Sequence, residues 1–351
     1  MYLKMKTLKY IFVFLLIVIV VAAVYLATLK GDFDVNRSRV IATDPEVVFN
    51  DLNDYKNWKD WGPWYEEDST LVAIYAENTV GVGSSYSWTS EQDGDGSMTT
   101  LKAVSPETLE QEIVFKTPFG DMKSEVYWRL EKVDKGTNVT WGMKGTISFF
   151  FRYMTEGMEK DLGAMQERGL ELLDKSIQNK MKVFSITNHG IVEYSGGFYL
   201  YITTSTKISE MSSKFPDMLA EVGDFIASNN VRTTGSPFTL YHKFDEENGT
   251  TMFSVCYPIP ERMITPKGTD ILTGFMGRGS YFKSTLRGSY EHSNKAWEKA
   301  MIEVENLLDY SMIEDGEPFE VYVNNSLTTP NPADLVTEIY IPVKKVKPMV
   351  Q

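Results

Sequence analysis

Two heptapeptides decide how the second half of the chain folds: Gly235-Ser236-Pro237-Phe238-Thr239-Leu240-Tyr241 and Gly316-Glu317-Pro318-Phe319-Glu320-Val321-Tyr322, 81 residues apart. They agree at five of seven positions, by identity or conservative exchange. Downstream of each stands a second matching pair, Ser254-Val255-Cys256-Tyr257-Pro258-Ile259 and Glu338-Ile339-Tyr340-Ile341-Pro342-Val343. Upstream, segments 215–226 and 296–307 carry apolar residues at helical spacing. Self-similarity at one period marks a duplicated unit whose copies bury their cores against each other. Residues 180–350 are therefore expected to hold two βαββ repeats, packed pseudo-symmetrically around a groove.

Neighbouring side chains on a strand point to opposite faces. In the last strand Ile339, Ile341 and Val343 form one row, expected to pack on the helices, which turns Glu338 and Tyr340 the other way. In the strand before it Phe319, Val321 and Val323 form the apolar row, leaving Glu320 and Tyr322 opposite. On this reading the second copy offers two glutamates and two tyrosines to one groove surface, and the first copy offers Thr239, Tyr241, Ser254 and Cys256. A carboxylate among aromatic rings is costly unless a cation or donor satisfies it. Such a site raises the acid's pKa or awaits a cationic ligand, which each ring face attracts by roughly 0.5–2 kcal/mol.

At the other end of the chain, residues 8–29 form an apolar run interrupted only by Lys9, Tyr10, Tyr25 and Thr28. At about 1.5 Å per residue it spans a bilayer's hydrocarbon core. Lys4, Lys6 and Lys9 precede it, and Lys30 is followed at once by Asp32 and Asp34. The positive-inside rule then predicts a cytoplasmic N-terminus, an anchor within residues 1–31, and everything beyond it outside the cell membrane. The run exceeds the roughly 7–15 residues of a signal peptide's apolar region, and no A-x-A site precedes Asp32, so an uncleaved anchor is expected over a cleaved signal.

Residues 33–178 read as one α+β module. A strand over 35–41 is followed by Thr43-Asp44-Pro45-Glu46, a helix start with a capping side chain and proline in the first helical position. Trp58, Trp61 and Trp64 recur every third residue, either as an aromatic lid on the core or as the rim of a ligand cavity. Antiparallel strands are expected over 84–90, 98–104, 109–115, 125–133 and 139–143, with a loop at Asp93-Gly94-Asp95-Gly96 and a long helix over 151–178. Glu110, Glu112, Tyr86, Trp88, Trp128 and Trp141 alternate on these strands; the glutamates are expected on a solvated face. Trp58, Trp61, Trp88 and Trp141 are the candidates for a second cavity.

The segment Val40-Ile41-Ala42-Thr43-Asp44-Pro45-Glu46-Val47-Val48-Phe49, with Trp58-x-x-Trp61 and Gly136-Thr137-x-Val139-Thr140-Trp141, resembles the polyketide cyclase/START-like (SRPBCC) superfamily. That resemblance implies a helix-grip fold with a hydrophobic cavity between a curved sheet and the long helix. Leu286-Arg287-Gly288-Ser289-Tyr290-Glu291, a helix bearing Trp297, Glu320-Val321-Tyr322-Val323-Asn324-Asn325 and Thr337-Glu338-Ile339-Tyr340-Ile341-Pro342-Val343 resemble the GyrI-like (AraC effector-binding) family. It implies a central pocket for lipophilic, often cationic, ligands. The acidic residue is best matched by Glu338, with Tyr290, Trp297 and Tyr340 as aromatic walls. Two departures stand out: Asn325-Ser326 where such proteins often have Asp-Pro, and no helix-turn-helix domain ahead of the module. A direct transcription-factor role is thereby put in doubt.

Composition narrows the remaining chemistry. With 35 Lys+Arg against 48 Asp+Glu the chain carries −13, which repels phosphate backbones, so no nucleic-acid partner is expected. One cysteine, Cys256, excludes an internal disulfide and multi-cysteine metal sites, and His189, His242 and His292 show no ligand spacing. No metal or cofactor is expected, and no catalytic triad is legible. Cys256 reads as a buried thiol in an apolar strand. Three roles remain: a membrane-anchored protein that binds or senses small hydrophobic or cationic molecules, with Glu338 as counter-ion; a GyrI-like hydrolase in which Glu338 or Glu320 activates water; or a structural role with both cavities packed shut.

Overall fold

Helix α1 (Tyr2–Thr28) contains the stretch Leu8–Thr28, none of it buried and long and apolar enough to cross a membrane. In the computed structural model the described residues are 2–346 apart from Asp93, Phe119 and Leu327, and side chains are described from residue 8 onward except those of these three and Glu156. Asp93 of the expected loop and the side chains of Lys4 and Lys6 thus lie outside the described residues. The chain divides into two units, Met1–Asn179 and Lys180–Gln351.

In the first unit the elements run β1 (Asp32–Ile41), α2 (Pro45–Asn53), α3 (Trp64–Glu67), β2 (Val72–Tyr75), β3 (Ser85–Thr89), β4 (Gly96–Val104), β5 (Thr108–Thr117), β6 (Gly120–Val133), β7 (Gly136–Thr146) and α4 (Thr155–Met181). The seven strands form one antiparallel sheet in the order β1-β7-β6-β5-β4-β3-β2. Asp44 caps α2 by accepting the Glu46 amide at 3.1 Å, as its position ahead of Pro45 predicts. Strand pairing places Leu109, Trp128 and Trp141 side by side on the inner face. On the outer face Glu110 meets Arg129 at 3.0 Å and Glu112 meets Lys123 at 3.1 Å, the solvated role expected of both.

Helix α4 is held on β1 by Gln166, whose amide donates to the Val35 carbonyl at 3.0 Å, and by the pairs Arg37–Glu167 and Arg39–Asp174. It starts four residues later than the sequence pattern suggests. The stretch Phe149–Met154 makes a 3-10 turn instead, with Arg152 and Thr155 committed to carbonyls at the end of α1. Gly169 sets how closely helix and sheet approach, because a Cβ there would stand 2.5 Å from the Trp141 ring.

The second unit contains β8 (Ser185–Tyr194), β9 (Gly197–Lys207), α5 (Met211–Ser228), β10 (Phe238–Asp245), β11 (Thr250–Ile259), β12 (Leu272–Met276), β13 (Gly279–Arg287), α6 (Ser293–Glu305), β14 (Tyr310–Met312), β15 (Phe319–Tyr322) and β16 (Val336–Lys345). The sheet order is β12-β9-β11-β10-β15-β16-β13-β8, with β14 paired to the far end of β16. The expected duplication is visible in this order: each repeat pairs its strands first-third-second, β9-β11-β10 and β13-β16-β15, and the repeats meet at β10 and β15. Each βαββ unit also has a leading strand that the sequence pattern missed. Leading strands β8 and β12 are exchanged, each completing the edge of the other repeat.

Both helices cover the same sheet face. Val222 and Met218 of α5 pack with Leu200, Phe253 and Val255, while Ala296, Ala300 and Val304 of α6 pack with Ile339, Ile341 and Val343. The pairings Thr239 with Val255, Thr239 with Glu320, and Glu320 with Ile339 carry that face across the central strands. Replacing Gly169 by alanine is expected to destabilise the first unit by about 1–3 kcal/mol, since the Trp141 ring has to move. Denaturant unfolding followed by tryptophan fluorescence measures this.

Candidate functional site

Register decides where the glutamates point. Glu320 lies opposite Ile339 on β16 and opposite Thr239 on β10, so it faces the helices. Phe319 lies opposite Tyr340, and Val321 opposite Glu338, so these four face away from them. The parity assigned to β15 from its apolar row is therefore inverted, and Glu320 and Glu338 do not share a surface. The cause is that both faces of this sheet are apolar. On the face away from the helices Phe319 stacks on Tyr340 at 4.7 Å and packs with Phe238, Leu240, Cys256 and Tyr281. Phenylalanine and valine alternating on β15 thus do not identify the helix side. In the first repeat the same inversion separates Thr239 and Tyr241, on the helix face, from Ser254 and Cys256 on the other.

Glu320 sits where the two repeats meet, on the helix-facing side of the central strands, and is 4% exposed. Ser293 and Trp297, one helical turn apart on α6, point the same way. The Ser293 hydroxyl donates to Oε1 at 2.9 Å, and the Trp297 indole N–H donates to the same oxygen. Oε2 accepts from Tyr241 at 3.1 Å and from Tyr322 at 3.0 Å, and the Tyr322 hydroxyl also lies 2.9 Å from that of Thr239. The aromatic surroundings close around this network: Tyr241 and Trp297 meet edge to face at 5.6 Å, Tyr290 and Tyr322 at 5.7 Å, and Phe215 of α5 lies 4.9 Å from Tyr322. Among the described residues no basic side chain pairs with Glu320.

Burial pushes the hydroxyls of Tyr241 and Tyr322 far above the usual tyrosine range, and the charge of Glu320 adds to the effect. Burial, again reinforced by Glu320, pushes Tyr290 up to about 12. These groups stay protonated at neutral pH and remain donors. Four hydrogen bonds allow a carboxylate to stay charged away from water. The result is a buried carboxyl group held by four neutral donors among aromatic rings, with no basic partner among the described residues.

Glu338 is differently placed. Its Oε1 lies 2.8 Å from the Lys283 ammonium and its Oε2 accepts from Tyr340 at 2.7 Å, while the same ammonium sits 5.4 Å from the Tyr340 ring. Burial raises its carboxyl, but the bonds from Lys283 and Tyr340 outweigh that and hold it below the ordinary range. Its charge already has a counter-ion in the chain. Of the residues singled out from sequence, the structure gathers Glu320, Tyr322, Tyr241, Tyr290 and Trp297 in one place and puts Glu338 and Tyr340 on the opposite face. Ser293 was missed, although its spacing from Trp297 was the available signal.

In the first unit Trp58 and Trp61 are fully buried and 5.0 Å apart, Trp61 meets Trp141 at 6.1 Å, and Trp141 stacks on Trp128 at 4.7 Å. Trp88 joins the group through Tyr86 at 5.5 Å. A buried polar thread runs beneath: Trp128 donates to Gln111, Gln111 donates to the Tyr55 hydroxyl, and that hydroxyl lies 2.9 Å from Thr100.

A serine–histidine–carboxylate arrangement, invisible in the sequence, occurs on the face away from the helices. His242, at a bulge in β10, has Nε2 2.6 Å from the Ser254 hydroxyl and Nδ1 2.6 Å from Glu317. Ser254 has no exposed surface, and its hydroxyl is also 2.6 Å from that of Thr203. A nucleophile has to reach its substrate, so this set is a tie between strands.

Comparison with known proteins gives both units relatives in small-molecule-binding families. Residues 198–344 match the GyrI-like small molecule binding domain, and residues 32–178 match the polyketide cyclase / dehydrase and lipid transport family. Each unit thus carries a domain that matches one of these two families. Among solved structures, the EcmrR–DNA complex is similar over 56% of this chain and 70% of that one, with 17% identity and a TM-score of 0.40. The EcmrR C-terminal domain covers 47% of this chain and 99% of its own, with 17% identity and a TM-score of 0.40. A Chromobacterium violaceum protein covers 41% and 96%, with 15% identity and a TM-score of 0.33. No curated protein matches the chain.

A tyrosine whose folded pKa is raised contributes stability that is complete below the unfolded value near 10 and is lost as pH rises toward the folded value. The second unit is therefore expected to lose stability between about pH 10 and 12. Replacing Tyr290 by phenylalanine removes one ionising group from the unfolded chain and flattens that fall, measurable as Tm against pH.

Proposed function

We propose that the second unit binds lipophilic cations, with Glu320 rather than Glu338 as the counter-ion. The observation that carries this reading is a buried carboxyl group with four donors, surrounding rings and no basic partner among the described residues. A soft cation entering from water exchanges its hydration for that charge and for ring faces. Ligand hydrolysis by Glu320 is the weaker reading, because each carboxylate oxygen already accepts two hydrogen bonds and neither is free to take a proton from water. For the whole chain, this makes a ligand-binding or sensing protein held at the cell membrane by α1. The three lysines before the apolar run and the aspartates after it favour a cytoplasmic N-terminus with both units outside.

Tetraphenylphosphonium and tetraphenylborate have nearly the same shape and opposite charge, so titrating both by calorimetry isolates the electrostatic part. The wild-type chain is expected to prefer the cation. Glu320→Gln should weaken cation binding at least about tenfold, about 1.4 kcal/mol, and erase the preference, while Glu338→Gln changes it less than about twofold. Unchanged cation affinity in Glu320→Gln overturns the assignment.

A further inference from the structure

We infer that the first unit rests on the bilayer through an aromatic foot, the 3-10 turn Phe149–Met154, set beside the point where α1 leaves the membrane. The inference rests on the membrane-anchor reading of α1. Leu8–Thr28 is 21 residues, about 32 Å of helix, which matches a hydrocarbon core of about 30 Å. The chain therefore emerges at Thr28 to Lys30.

The foot is tied to that exit. Arg152 donates to the Leu29 carbonyl at 3.4 Å, Thr155 donates to the Lys30 carbonyl at 3.1 Å, and the Ile147 amide donates to the Gly31 carbonyl at 2.8 Å. The guanidinium of Arg152 also covers the Phe149 ring at 5.3 Å. Residues so tied stand at the depth of the lipid headgroups. There the turn presents apolar surface to the outside: Phe150 is 74% exposed, Tyr153 58% and Met154 51%. In water this cluster has nothing to cover it among the described residues; at a bilayer interface, aromatic rings and methionine are the favoured chemistry.

A second element reaches the same end. Strand β1 begins at Asp32, directly after the anchor, and pairs there with Thr146; Gly145 pairs with Ser124 of β6. The four residues of β6 before Ser124 project past this rung by about 13 Å, and they carry Met122, 46% exposed. The far end of the same two strands, at Val133 and Gly136, points away. A single tether leaves a domain free to tumble above the membrane. Two apolar contacts beside the tether fix one end of the sheet against the lipid.

Nitroxide labels on single introduced cysteines test this in the full chain, reconstituted in vesicles of phosphatidylcholine and phosphatidylglycerol. Cys256 is fully buried, and the unsubstituted chain shows whether it takes label. Labels are placed by Leu16→Cys in the anchor, Phe150→Cys and Tyr153→Cys in the foot, and Val133→Cys at the far end. Depth is read from relaxation by oxygen against a water-soluble nickel chelate. The expected order is Leu16 deepest, positions 150 and 153 within the lipid at shallow depth, and position 133 aqueous. A lipid reading at Leu16 with aqueous readings at both 150 and 153 overturns the foot and leaves the anchor standing. An aqueous reading at Leu16 overturns the anchor, and the foot with it.

Discussion

The second unit depends on three residue pairs between β10 and β15, Phe238 with Val321, Thr239 with Glu320 and Leu240 with Phe319. This short antiparallel contact joins the two repeats, and the axis relating them passes through it. It places one helix on either side of the axis and leaves the space above the central strands to side chains. Glu320 and Thr239, equivalent positions in the duplicated heptapeptides, are also direct cross-strand partners. Two glutamates there would set like charges face to face in a buried site, which is strongly unfavourable. With threonine at one of these positions the site holds a single carboxyl group, and the threonine hydroxyl lies 2.9 Å from that of Tyr322.

Comparison of the two glutamates of β15 and β16 shows how environment separates equal groups. Glu338 has an ammonium at salt-bridge distance and is partly exposed. Glu320 has only neutral donors and almost no exposure. In water the two would be indistinguishable; in the fold, one is in an ion pair and the other is held, among the described residues, by neutral donors alone. Its carboxyl oxygens are satisfied locally by two tyrosines, a serine and an indole, and the serine and indole are held in place by the packing of α6 on Ile339 and Ile341. The four donors are already in place without any rearrangement.

The first unit uses its aromatic residues differently. Tyr55, Trp58, Trp61, Trp128 and Trp141 contact one another between α4 and the sheet, and Gly169 permits the close approach of helix and ring. Its strands were legible because inward and outward residues alternate cleanly, Glu110 and Glu112 against Leu109 and Ile113. Strand β2 was missed, being four residues long and without a strong apolar partner row. Residues 151–154 read as the start of the long helix because Met154 falls on one stripe with Met158 and Leu162; they belong instead to a 3-10 turn whose Arg152 bonds a carbonyl more than a hundred residues earlier.

Sequence alone was sufficient for the apolar helix, the two families, the capped start of α2 and the duplication, all of which depend on local pattern or on repetition along the chain. It also supplied the acidic and aromatic candidates of the groove. Which glutamate faces the helices was decided by tertiary structure, because a strand's period of two gives alternation without naming the face. That choice belongs to the pairing partners: Ile339 across from Glu320, and Tyr340 across from Phe319. The same holds for His242, Ser254 and Glu317, which only the strand order brings within hydrogen-bonding distance.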